Sequence, residues 1–113
     1  MTFRDDRQRG DVARVLTDRL GKGPMFRADE AGVPRPTAGL KSHLDRVFTG
    51  SENLLVRLAW DVWNGDGHAR IDLCLVSLDS SNLRLVGELL TAAAETGFSG
   101  RGVDDWLMRW GGQ

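Results

Sequence analysis

The residues able to do chemistry are few and scattered. The chain holds two histidines, His43 and His68, and one cysteine, Cys74. A zinc hydrolase needs clustered histidines with a carboxylate, typically two histidines sharing one helix face. Neither histidine has that neighbourhood. His43 borders an apolar stripe and reads as a boundary residue; His68 follows a glycine turn and reads as exposed. His68 and Cys74 could be drawn as base and nucleophile, but Cys74 sits between leucines and reads as a small buried hydrophobe. A single cysteine also excludes an intramolecular disulfide framework.

Other constellations fare no better. Asn64, Asp66, His68 and Asp72 resemble a calcium loop, but the glycine is misplaced and the closing glutamate is missing. The glycine-rich run from Gly97 to Gly102 precedes a helix, yet it lacks the lysine and hydroxyl residue of a phosphate loop. It reads as a linking turn. Acidic pairs stand at Asp5-Asp6, Asp29-Glu30 and Asp104-Asp105, all near element ends or in loops. Glycosidase chemistry needs two carboxylates across a cleft, which nothing in the spacing provides. No catalytic residue, metal site or cofactor is expected.

The frame around these residues is that of an ordinary globular domain. The chain has 113 residues, 41% apolar and 27% charged, which suits one domain with one core. Net charge is −1, but residues 1–46 are net +3 and residues 47–113 net −4. No apolar run approaches the roughly 20 residues that span a bilayer, and the charged N-terminus has no apolar signal core. A cytoplasmic bacterial protein without a membrane partner is the expectation.

Helical periodicity organises most of the chain. Residues 1–10 read as frayed. A first helix is expected over Asp11–Leu20, capped by Asp11, with Val12, Val15, Leu16 and Leu20 on one side. Residues 21–36 hold all three prolines and read as a long irregular segment; such segments are commonly functional. Met25 and Phe26 offer a means of pinning it to the core. Thr37–Phe48 is a second helix with Thr37 as cap and a stripe of Leu40, Leu44, Val47 and Phe48.

Ser51–Asn64 gives the clearest helical pattern. Leu54, Leu55, Leu58, Ala59, Val62 and Trp63 crowd one half of its circumference, with Val56 and Trp60 widening the arc. Such a helix is expected at the centre of the fold, packed against the next long helix, Ser80–Thr96. That helix is capped by Asp79 or Ser80, and its apolar face is expected to centre on Leu83, Val86, Leu90, Ala93 and Ala94, with Leu85, Leu89 and Ala92 extending it. Gly87, beside this face, would permit close approach of another helix. Between the two, Ile71, Leu73 and Leu75 alternate like a strand. A lone strand leaves its backbone unpaired, so an extended or single-turn segment is expected. Val103–Trp110 closes the chain, its Trp106 and Trp110 clamping it onto the bundle. The expected fold is all-α: a compact bundle of about five helices with at most one short extended segment.

The run Thr49-Gly50-Ser51, Leu55, Leu58-Ala59-Trp60 and Trp63-Asn64 is followed by Ile71-Asp72-Leu73, Leu78-Asp79, Trp106 and Trp110. This pattern resembles a family of small uncharacterised proteins encoded on bacterial plasmids and integrative elements. The resemblance covers residues 49–110 and departs at Leu73–Ser77, where this chain is more apolar. It implies a mobile-element setting and an all-helical fold, and carries over no activity.

The expected function is therefore non-enzymatic: a protein-binding module, in that setting an inhibitor of a host defence complex of the anti-CRISPR kind. The partner-binding candidates are Met25, Phe26, Arg27 and Arg35, with Trp60 and Trp110, since tryptophan and arginine are enriched at binding hot spots. The alternative is a nucleic-acid-binding regulator using the basic N-terminal half. A homodimer joined through tryptophan-bearing faces is compatible with either.

Overall fold

The computed structural model describes residues 3–20, 25–45, 51–65, 72, 75, 77–96 and 101–111, with backbone alone at 43, 45, 51–53 and 96. Its elements run α1 (Asp6–Asp18), β1 (Phe26–Ala28), β2 (Pro34–Pro36), α2 (Ala38–Asp45), α3 (Ser51–Asn64), α4 (Ser80–Thr96) and α5 (Arg101–Gly111). The described residues form a compact helical bundle with one two-stranded sheet. None of their helices is long and apolar enough to cross a membrane. The side chains of His43, His68 and Cys74 lie outside the described residues, as do Val47, Phe48, Gly50, Asp66, Ile71, Leu73 and Gly97.

Helix α1 begins five residues before the expected start. Asp5, in extended conformation, accepts the Gln8 backbone N–H at 2.8 Å and caps the helix. Asp5 offers the same capping oxygen as Asp11, which lies inside the helix and pairs with Arg14 at 3.4 Å. Residues 6–10 are thus helical rather than frayed, and Gln8 is fully buried. The burial also explains a glycine inside a helix. A Cβ on Gly10 would stand 2.4 Å from the Pro34 carbonyl oxygen, so only glycine lets α1 meet β2 this closely.

The segment expected to be irregular contains an antiparallel hairpin. Arg27 pairs with Arg35 in register, flanked by Phe26 with Pro36 and Ala28 with Pro34. The Asp29 N–H donates to the Val33 carbonyl at 2.9 Å, and the Thr37 N–H to the Met25 carbonyl at 3.0 Å. Ladder bonds in an antiparallel pair fall on every second residue, so Pro34 and Pro36 occupy positions where no N–H is needed. Asp29 organises the turn: its Oδ1 accepts the N–H groups of Ala31 and Val33 at 2.9 and 3.0 Å. Its Oδ2 accepts Arg35 Nε at 2.6 Å. Gly32 completes the turn at φ +81°.

Thr37 ends the hairpin and starts α2, accepting the Leu40 N–H on its hydroxyl at 3.4 Å. Helices α3 and α4 have the expected boundaries, and Asp79 caps α4 through the Asn82 N–H at 2.8 Å. Asp72, Leu75 and Ser77 are helical, so the described part of the alternating stretch is no strand.

The packing differs from the expected centre. Helix α3 lies chiefly on α1 and also on α2, whereas α4 packs on α5. The central element is α1, which touches α3, α5 and both strands. Its small, fully buried patch of Val12, Ala13 and Leu16 permits close approach, whereas the broad apolar arc of α3 does not specify which neighbour covers it. The buried face of α4 is rotated within the expected arc, toward its extension at Leu85 and Leu89: these are buried with Val86 and Ala93, and Leu90 is 55% exposed. Trp106 fixes this rotation by donating its Nε1–H to the Leu85 carbonyl at 3.0 Å.

Gly10 in α1 and Gly87 in α4 should respond oppositely to alanine. G10A should lower stability by about 2–3 kcal/mol, because the Pro34 backbone cannot yield. Gly87 meets nothing within 4 Å among the described residues, so G87A should raise stability by about 0.4–1 kcal/mol. Urea midpoints of the two variants check both.

Candidate functional site

The first turns of α1 and the last turn of α3 lie side by side and enclose a cleft of about 360 Å³. Phe3, Asp5, Asp6 and Arg9 line one wall; Asp61 and Trp63 line the other. The half-buried Trp63 ring is the centre of this region. The Arg9 guanidinium lies 4.7 Å from its centroid and that of Arg35 lies 5.7 Å away. Phe26 meets it edge-on at 6.3 Å and 66°.

Each arginine is also held by a carboxylate of its own element. Arg9 Nη2 is 2.6 Å from Asp6, and Arg35 Nε is 2.6 Å from Asp29. The Arg35 contact, with the backbone bonds from Val33 and Ala31, holds the Asp29 carboxyl below its ordinary value. Among the described residues, the buried Arg9 Nε has no hydrogen-bond partner. The guanidinium is thus held on one edge by Asp6 and over its plane by Trp63.

The N-terminal wall is tied down at a distance. Arg4 Nη1 reaches Asp104 in the first turn of α5 at 2.6 Å, and Gln8 Nε2 reaches the same carboxylate at 3.4 Å. Gln8 also accepts the Arg4 N–H on Oε1 at 2.8 Å. The Arg4 hydrogen bond holds the Asp104 carboxyl below its ordinary value, burial opposing it and Gln8 assisting.

A second tryptophan repeats the pattern on another face. Trp110 lies 5.1 Å from the Arg19 guanidinium and 5.8 Å from that of Arg109. Its Nε1–H donates to Glu88 at 2.8 Å, and Arg109 pairs with the same carboxylate at 2.9 Å. Arg19 is steered by Ser81 Oγ at 2.5 Å and Asn82 Oδ1 at 3.1 Å.

The sequence candidates therefore divide. Arg35 and Trp110 lie in the two clusters, and Arg27 is exposed on the hairpin. Trp60 is half-buried and packed on the core. Met25 and Phe26 are 2% and 5% exposed; they anchor the hairpin and present no surface to a partner. Met25 just precedes β1 and Phe26 opens it, and both are buried, as the pinning role required. Trp63, expected in the core, is the residue that the sequence reading missed. Its position one residue before a helix-ending Asn64-Gly65 was the available signal. Among the described residues no group of three or more histidines, cysteines and carboxylates could hold a metal.

No family model, curated protein or solved structure matches the chain.

The Asp104 tether has a pH signature. A carboxylate whose folded-state pKa is lowered stabilises fully above its unfolded value, near 3.9, and loses that contribution as pH falls through the folded value. Stability should therefore drop as pH falls below about 4, and D104N should make that acid limb shallower. Urea midpoints measured from neutral pH to pH 2.5 check this; equal slopes in both proteins would count against the tether.

Proposed function

We propose that this chain is a non-catalytic protein-binding module that works by covering a surface of its partner, with the Trp63 face as the contact. The observation that carries this reading is the placement of Arg9 and Arg35 over one half-buried tryptophan, each fixed by its own carboxylate. Tryptophan and arginine dominate binding hot spots, and side chains already held in place lose less freedom on association. In the mobile-element setting that the resemblance implies, the form we propose is an inhibitor of a host defence complex, of the anti-CRISPR kind, acting in the bacterial cytoplasm.

The charge arrangement supports a protein partner over nucleic acid. A nucleic-acid surface needs cations available to phosphates. Arg4, Arg9, Arg14 and Arg35 of the basic half each pair with a carboxylate. Four of the ten basic residues of that half are thus held by carboxylates, one of them, Arg4, by an acid of the other half.

The test is plasmid interference in bacteria carrying a CRISPR system, with the chain expressed in trans. The chain should restore plasmid uptake, and the effector complex should co-purify with it. Trp63→Ala and Arg35→Glu should each weaken effector binding at least about 30-fold, as for a hot-spot loss of 2 kcal/mol or more. A gel shift at low salt should show no DNA or RNA complex. Unimpaired interference, with no effector recovered across the system types tried, would discard the anti-CRISPR form.

A further inference from the structure

A second open groove runs between α4 and α5, on the Trp110 side of the molecule, with a volume of about 340 Å³. Each wall is one helix face. Glu88, Ala92 and Glu95 come from α4; Asp105, Trp106 and Trp110 come from α5. From Glu88 to Glu95 the groove runs about 10 Å, or two helical turns.

Its floor and rim differ in character. The floor is aromatic and rigid: Trp106 is buried and bonded to Leu85, and Trp110 is half-buried and bonded to Glu88. The rim is acidic at one end. Arg109 neutralises Glu88. Glu95 and Asp105 are exposed and line the groove, and neither has an ion pair or side-chain hydrogen bond among the described residues. The groove therefore presents a neutral aromatic end and an end with two uncompensated carboxylates. It lies in the half of the chain that carries net −4.

We propose that this groove docks a basic amphipathic segment of a partner protein. An apolar side chain or lysine stem rests on Trp110 and Ala92, and the cation lies between Glu95 and Asp105. Charge complementarity fixes both the class of partner and its direction. At the Trp110 end Glu88 is already taken by Arg109, so the basic residue sits toward Glu95. A nucleic acid would meet those two carboxylates directly and is disfavoured. This inference concerns a different face from Trp63 and does not depend on the contact proposed there.

The experiment titrates the full ¹⁵N-labelled chain with a synthetic twelve-residue peptide carrying lysine and leucine at helical spacing. The Trp110 indole signal and the amides of Ala92, Glu95 and Asp105 should shift saturably, while the Trp63 indole signal stays still. The double variant E95K/D105K, altered only at exposed positions, should keep its circular dichroism and bind at least tenfold more weakly. Trp63→Ala should bind the peptide as the parent does. The proposal is overturned if a glutamate-for-lysine peptide shifts the same signals, or if E95K/D105K binds equally well. Spermidine shifting those signals as tightly would overturn it in favour of a small-cation site. Loss of the Trp63 contact with retained peptide binding would sink the proposed function and leave this inference standing.

Discussion

The structure depends on one close approach, that of α1 to the hairpin at Gly10 and Pro34. A helix can lie this near a strand only where it lacks a side chain. With α1 seated there, its buried patch of Val12, Ala13 and Leu16 faces inward and receives α3 and α5. The hairpin in turn hands the chain to α2 through Thr37, whose N–H and hydroxyl both bond to the Met25 carbonyl. The N-terminal half is therefore the organising part of the molecule, although its composition is the more charged and the less regular.

That composition makes sense once the arginines are traced. They act as struts. Arg4 spans from the N-terminus to α5, Arg19 from the end of α1 to the start of α4, and Arg35 from one hairpin strand to its turn. Exposed ion pairs contribute little to stability individually, about 0–1 kcal/mol. Their effect here is geometric. They place guanidinium groups over Trp63 and Trp110 and hold two aromatic surfaces in fixed settings.

The two tryptophan clusters sit on different parts of the bundle and differ in electrostatics. The Trp63 cluster is built from α1, α3 and the hairpin, with each arginine balanced by a neighbouring carboxylate. The Trp110 cluster belongs to the α4–α5 pair and opens onto carboxylates that are left unbalanced. One face thus offers an aromatic ring framed by cations, and the other an aromatic floor rimmed by acids.

The amino-acid sequence by itself determined the elements whose signals are local. The apolar period of 3.6 fixed α3 and α4 at their observed boundaries, and the four-residue spacing of Trp106 and Trp110 set one face of α5 against α4. Arg35 and Trp110 stood out by residue type, and each lies in one of the arginine–tryptophan clusters. Tertiary structure decided whatever rests on residues distant along the chain. Asp5 and Asp11 are equally good caps, and only the contact of Gly10 with Pro34 makes the earlier start worthwhile. Prolines read as breakers until a paired strand shows that their missing N–H groups are not needed. Met25 and Phe26 belong to the core, and Trp63 to its half-buried margin beside the cleft, because of where the hairpin folds back. Periodicity ranks the faces of a helix, but it cannot say which neighbour will cover them.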